Sequence, residues 1–493
     1  MNNEKKIKIF EFMSVFATFV GIVVGVGIYA KNSNQPGSVL GIAQNPIIAI
    51  ILWVVIGILG MTMIVVFMEV SSTTKAKNQN GNLANWLGKL HGRKLGAFSA
   101  IFNIVGYIPI IYSILSFLVI DFIFTTIGTP INSLSSLDKL LFYLFGGMGI
   151  MAIFSMANAF TRKPGKIIQI IGLAIKLIPL LIGLVLGLTQ LGSDNTFSDP
   201  KLQSWSAGAF FMAIAPIMFS LDGFVYATNL QKEVKYKKQL PKALFASMFF
   251  VIVFYVLISI SIFAGSTDGN LFTVFDNTLP GWMIKIVYVL IVMSAIVSLN
   301  GMTLAATNYI SAGVEDGFFF FNKKVSIKTS GIIQYIISAT VYLICLLVGY
   351  AVYNDNPIYI IDGFSTVITV FNFLFYGIVI VLAMINRKTN KVKTDRVRFF
   401  WPCAIISASL IFAFISVIIV GYFAALAVDP RGVVRWFIIG FALFMVLIWG
   451  INELLYKKFN PKNPDKKEKT VVENININKE NLAKNTKTVS SNV

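Results

Sequence analysis

Apolar residues run through this chain in blocks of twenty or more, separated by short polar stretches. A helix rises 1.5 Å per residue, so about 20 apolar residues cross the ~30 Å hydrocarbon layer of a bilayer. The pattern predicts twelve such spans, numbered here in chain order: residues 9–30, 46–70, 96–127, 138–159, 166–190, 205–230, 241–264, 281–310, 329–350, 357–385, 400–427 and 432–456. Residues 1–8 form a short basic lead. That lead and the apolar run after it mimic a signal peptide, but the run is about 20 residues long and lacks a small-residue cleavage pattern, so it reads as span 1. Beyond Lys457 the chain becomes rich in Asn and Lys, and residues 457–493 are predicted to be a disordered tail.

Composition agrees with lipid as the main solvent. Of 493 residues, 56% are hydrophobic and 13% charged, against about a quarter charged in a soluble domain. The net charge of +19 invites a nucleic-acid reading, which its distribution removes. With the N-terminus inside, 34 of the 41 basic residues fall on the cytoplasmic side. Six lie on the opposite side and its span ends (Lys31, Lys139, Lys201, Lys285, Arg431 and Arg435), and Lys176 lies within span 5. Lys and Arg resist translocation, so the bias predicts a multi-pass protein of the cell membrane with both termini cytoplasmic and an even number of spans. The basicity serves topology, and no nucleic-acid partner is expected.

Enzyme chemistry finds little to use. Cys345 and Cys403 both lie inside spans, and the single histidine, His91, lies in a cytoplasmic loop. No disulfide framework, metal site or cofactor is expected. There is no Gly-x-x-x-x-Gly-Lys-Ser/Thr loop to drive an ATP motor, and no nucleophile–base pair.

Two segments depart from a smooth apolar helix. The first is Gly21-Ile-Val-Val-Gly25-Val26-Gly27-Ile in span 1. The second is Phe219-Ser220-Leu221-Asp222-Gly223-Phe in span 6, shortly after Pro216. Glycine weakens a helix and proline removes one of its hydrogen bonds. The glycines of span 1 alone would serve equally well for close helix packing. Yet the two segments are five spans apart, and five is odd, so two five-span units in series have opposite orientations. Interrupted helices at matching places in inverted halves point to a transporter site. The halves are residues 9–190 and 205–385, with spans 11 and 12 (400–456) added. Span 1 runs outward, so its outer piece begins at the break and offers the N–H groups of Gly25, Val26 and Gly27. Span 6 runs inward, so its outer piece ends at the break and offers the carbonyls of Phe219, Ser220 and Leu221. Donors suit a carboxylate and acceptors an ammonium, so the pair of ends predicts an α-amino acid as substrate.

At these residues the chain resembles the amino acid–polyamine–organocation transporter family. Gly25-Val-Gly27-Ile is similar to the family's Gly-Ser-Gly-Ile, with Val26 in place of serine. Asp222-Gly-Phe-Val-Tyr-Ala-Thr-Asn-Leu-Gln-Lys-Glu-Val-Lys235, then Leu240-Pro241, resembles its sixth helix and following loop, one residue short and without the usual Asn-Pro. Asn300-Gly-Met-Thr-Leu-Ala-Ala-Thr-Asn308 and Glu315-Asp-Gly317 resemble its eighth helix and exit. The resemblance covers roughly residues 9–456 and implies an all-α LeuT-type fold of five-plus-five inverted helices and twelve spans. In arginine–agmatine antiporters a tryptophan of helix 6 covers the substrate, and Phe219 falls at its place. A second tryptophan packs from helix 8, where this chain has Met302, which argues against transfer of that specificity.

Lys176 lies near the bilayer centre, where a lysine costs about 2.5–3.5 kcal/mol on insertion scales and should face a polar interior. It reads either as a packing residue tied to backbone carbonyls or as a coupling cation. Family members with a lysine in this helix imply the second, a fixed or titratable charge in place of a sodium ion. Asp222 reads as the N-cap of the inner piece of span 6, as a contact for the substrate amine, or as the seat of a coupling proton. Gly223 and Met302 complete the candidate substrate site. Asp121 and Asp362 read as interfacial, Tyr107 and Tyr112 as packing or cavity-lining residues, and Asn300 as cavity lining or interhelical glue. The resemblance implies an amphipathic gate segment at residues 80–88. The expected function is secondary transport of an amino acid by alternating access, through exchange or proton symport. Exchange of amines or polyamines, or a receptor that binds without cycling, are the alternatives.

Overall fold

The computed structural model describes residues 3–73, 82–128, 133–190, 194–227, 239–321, 323–353, 358–428 and 432–459. The expected tail lies outside them beyond residue 459, as does the loop after span 6 at residues 228–238. Among the described residues the regular structure is helical throughout, with no strand. Eleven helices among the described residues are long and apolar enough to cross a membrane. Span 6 is interrupted, as its Asp222-Gly223 segment leads one to expect. It is built as Ala207–Met212 and Ile214–Leu221, a break at Asp222–Gly223, and a short piece Phe224–Ala227.

Local signals account for the element ends. Span 2 opens at Asn45, whose side chain accepts from the backbone N–H of Ile47 and Ile48 at 3.0 and 3.2 Å, with Pro46 in the first turn, where a missing N–H costs nothing. Span 3 begins at Arg93, earlier than expected, and widens into a π-helical stretch at Phe102–Tyr107 just before Pro109. Of the segment expected to act as a gate, residues 80–81 lie outside the described ones. The rest belongs to helix Leu83–Leu90, called the gate helix below for that expectation and capped by the Asn82 side chain on Asn85 N–H at 2.9 Å.

Spans five positions apart in the chain pack on one another: 2 on 7, 3 on 8, 4 on 9, and the pieces of 1 on the pieces of 6. This is the arrangement of a LeuT-type inverted repeat. Spans 11 and 12 sit outside it, span 11 against spans 2 and 10 and span 12 against span 3. Asn300 ties spans rather than lining open space. It donates to the Gly165 carbonyl at 2.9 Å, and Asn158 of span 4 donates to its side-chain oxygen at 3.1 Å. At the ends carrying the basic loops, Phe318 is seated against Gly88 and Gly96, where a Cβ would lie 2.9 and 2.5 Å from its ring. Asn85 of the gate helix donates to Asp316 at 2.8 Å. Arg93 pairs with Glu453 of span 12 and stacks on Tyr456.

Candidate functional site at the two helix breaks

Span 1 is helical to Val23, leaves the helix at residues 24–26 and resumes as Gly27–Ala30. The freed backbone is held by protein groups, as membrane depth requires. Tyr255 of span 7 donates its hydroxyl to the Val23 carbonyl at 3.0 Å. Lys176 is 1% exposed and donates to the Gly21 carbonyl at 2.9 Å. Tyr29, past the break, returns a hydroxyl to the Lys176 carbonyl at 3.1 Å. Helix 5 therefore grips span 1 on both sides of its interruption.

In span 6, Leu221 is the last residue of the outer piece, Asp222 is extended, and Gly223 has φ +97°, a conformation that favours glycine. The two breaks touch. A Cβ on Gly27 would lie 2.7 Å from both Cα and Oγ of Ser220, so only glycine admits this approach. A Cβ on Gly25 would meet Ser298 Oγ of span 8 at 3.3 Å, and one on Gly223 would meet Ile22 at 3.1 Å. Val26 is buried and caps the outer piece of span 1.

Phe219 is half-buried, with Lys31 Nζ 5.3 Å from its ring centroid. Lys31 pairs with Asp362 of span 10, so these two residues link the outer piece of span 1 to span 10 instead of lying separately at an interface. Met302 stands beside Tyr112, whose hydroxyl reaches the Met302 carbonyl at 3.5 Å. Asp222 is the C-cap of Ile214–Leu221, and its Oδ1 accepts from Gly223 N–H at 2.8 Å. Its other partners are Tyr107, Asn372 and Tyr376, at 2.7, 3.2 and 2.8 Å. Of these the sequence reading named only Tyr107. Asn372 and Tyr376 are one turn apart in the long apolar run of span 10, and that spacing is the signal that could have drawn attention to them.

Among known proteins, the chain is similar to the serine/threonine exchanger SteT of Bacillus subtilis, 25% identical over 322 residues, covering 62% of this chain and 68% of that one. It is 25% identical over 405 residues to the b(0,+)-type amino acid transporter 1 of Oryctolagus cuniculus, covering 77% and 76%. It is 23% identical over 482 residues to an uncharacterized protein of Mycoplasma pneumoniae, covering 83% of each. In three dimensions it resembles MhsT, solved in complex with L-phenylalanine, with a TM-score of 0.56, 14% identity, and coverage of 83% of this chain and 97% of that one. The model of the amino acid permease family matches residues 10–451, from the first turns of span 1 to the last of span 12, with both breaks inside it. A multi-pass helical body organised around paired helix breaks, matched over nearly its whole length, makes this chain a member of the amino acid permease family.

Proposed function

We propose that the protein carries an α-amino acid across the cell membrane by alternating access, with both termini cytoplasmic and Lys176 acting in place of a sodium ion. The observation that carries this reading is the direct apposition of the two interrupted helices, Gly27 against Ser220. In this reading the backbone donors of one break and the acceptors of the other serve the two ends of a zwitterion. Two of the similar proteins are named as an amino-acid exchanger and an amino acid transporter, which favours exchange. Lys176 supplies a fixed positive group between spans 1 and 5, at a carbonyl that would otherwise need another partner.

Purified protein in sodium-free proteoliposomes should take up a labelled amino acid, and unlabelled amino acid inside should accelerate entry. Binding without uptake would make the protein a receptor, and acceleration by amines but not by amino acids would make it an amine exchanger. The orientation is tested separately. In a background of Cys345→Ser and Cys403→Ser, Lys458→Cys should react with an impermeant maleimide only after the cells are permeabilised. Labelling of intact cells would reverse the topology.

A further inference from the structure

Asp222 is buried at the span 6 break, and its carboxylate accepts four hydrogen bonds. Oδ2 takes the Tyr107 hydroxyl and Asn372 Nδ2, and Oδ1 takes the Tyr376 hydroxyl and Gly223 N–H. No cation pairs with it among the described residues. The charged groups on the elements around it are engaged or remote. Lys31 pairs with Asp362, and Arg387 with Glu69. Asp121 is about four turns from Tyr107 along span 3 and accepts from Tyr143. Glu4, Lys8 and Glu11 lie at the start of span 1, well before Ile22, which touches Gly223. A buried carboxylate without a counter-ion is costly at membrane depth, and a proton relieves that cost.

The network around Asp222 can serve both charge states. A proton on the carboxylate turns one acceptor oxygen into a donor, so one hydroxyl that now donates must accept instead. Asn372 Oδ1 is buried with no partner, and Asn372 Nδ2 lies 2.7 Å from the Tyr376 oxygen. Turning the amide would bring Oδ1 to the Tyr376 hydroxyl, which could then donate to Asn372 and accept from the protonated Asp222. A cavity of about 10 Å³ adjoins these groups, lined by Asn82, Asn103, Tyr309, Asn372 and Tyr376. That is room for about one water. Asn82 is also the cap of the gate helix, so the cavity lies between Asp222 and the face of the basic loops.

We propose that Asp222 carries a proton through the transport cycle, with Tyr107, Asn372 and Tyr376 as its positioning residues and the cavity beside Asn82 as the path on the basic-loop side. The step is an acid–base one. A proton from water forms one O–H bond on Asp222 at one face, and that bond breaks to return the proton to water at the other. No co-reactant is needed. The inference rests on the transport reading above.

Proteoliposomes with a trapped pH-sensitive dye test it. Wild-type protein should move about one proton per amino acid during net uptake. The residual uptake of Asp222→Asn should move none and should lose its pH dependence. Tyr376→Phe keeps the carboxylate but removes one donor to its ionised form, so the midpoint of its pH–rate profile should move upward by about one unit. A purely structural role for Tyr376 would lower the profile without moving it. If Asp222→Asn is inactive, the Tyr376→Phe midpoint decides. Proton movement by Asp222→Asn, or an unmoved midpoint in Tyr376→Phe, overturns the proposal. Proton-free net uptake by the wild type overturns it while leaving transport intact, and no uptake at all, with or without amino acid inside the vesicles, removes both.

Discussion

Gly27→Leu is expected to abolish substrate binding while the protein still inserts and purifies as a folded species. The added Cβ would sit 2.7 Å from the Ser220 Cα, and backbone cannot turn aside as a side chain can. The helical pieces Gly27–Ala30 and Ile214–Leu221 would have to part at the point where the proposed function places the substrate. Overpacking of this kind costs about 1–3 kcal/mol, or roughly 5- to 150-fold in an equilibrium constant before the lost backbone geometry is counted. Even Gly27→Ala should weaken binding markedly. Gly25→Ala should be milder, because its contact is a serine hydroxyl at 3.3 Å that can rotate. Equilibrium binding of a labelled amino acid to detergent-purified protein measures all three, with size-exclusion profiles as the check on folding. Wild-type affinity in Gly27→Leu would remove span 1 from the site.

Lys176→Met should retain most folded protein and lose at least about tenfold in turnover. Methionine keeps much of the apolar stem and deletes the ammonium that bonds the Gly21 carbonyl. A hydrogen bond to a charged group contributes about 1.5–3 kcal/mol, enough for a ten- to hundredfold effect if it is made in only one state of the cycle. Lys176→Ala should lose folded protein as well, since it also empties the packed space of the stem. Initial rates of sodium-free uptake, normalised to folded protein, separate the two variants. Full uptake by Lys176→Met would mean that helix 5 needs the packing and not the charge.

The spans were legible in the sequence because hydrocarbon imposes a length and a composition that few other environments require. The breaks were legible for a related reason: glycines and a proline are conspicuous in runs of Ile, Leu and Phe. Lys176 stood out as a lone charge at mid-span. What the sequence left hidden is pairing at long range. Lys31 and Asp362 each lie near a span end, where the bland interfacial reading suffices, and nothing local says that they meet. Asn372 and Tyr376 are ordinary as single residues, and become informative only when the fold brings Asp222 to them from 150 and 154 positions away. The position of the span 6 interruption was itself legible, at the Asp222-Gly223 step. Phe219, Ser220 and Leu221 remain helical, and the chain leaves the helix at Asp222, where Gly223 takes up the positive φ.

One fastening at each end of the protein rests on different physics. At one, Lys31 and Asp362 join spans 1 and 10 through an ion pair whose carboxylate side chain is 26% exposed. At the other, the gate helix is held by Asn85 on Asp316 and by an aromatic ring bedded on two glycines. Dissolved salt reaches the first fastening only in part, because the Lys31 side chain is 2% exposed and a partly buried pair is screened far less than an exposed one. It barely touches the seat of Phe318, whose apolar contribution instead fades on cooling. In the transport cycle proposed above, cooling would therefore loosen the Phe318 seat while leaving the Lys31–Asp362 pair nearly unchanged, so temperature would act on one end of the protein more than on the other.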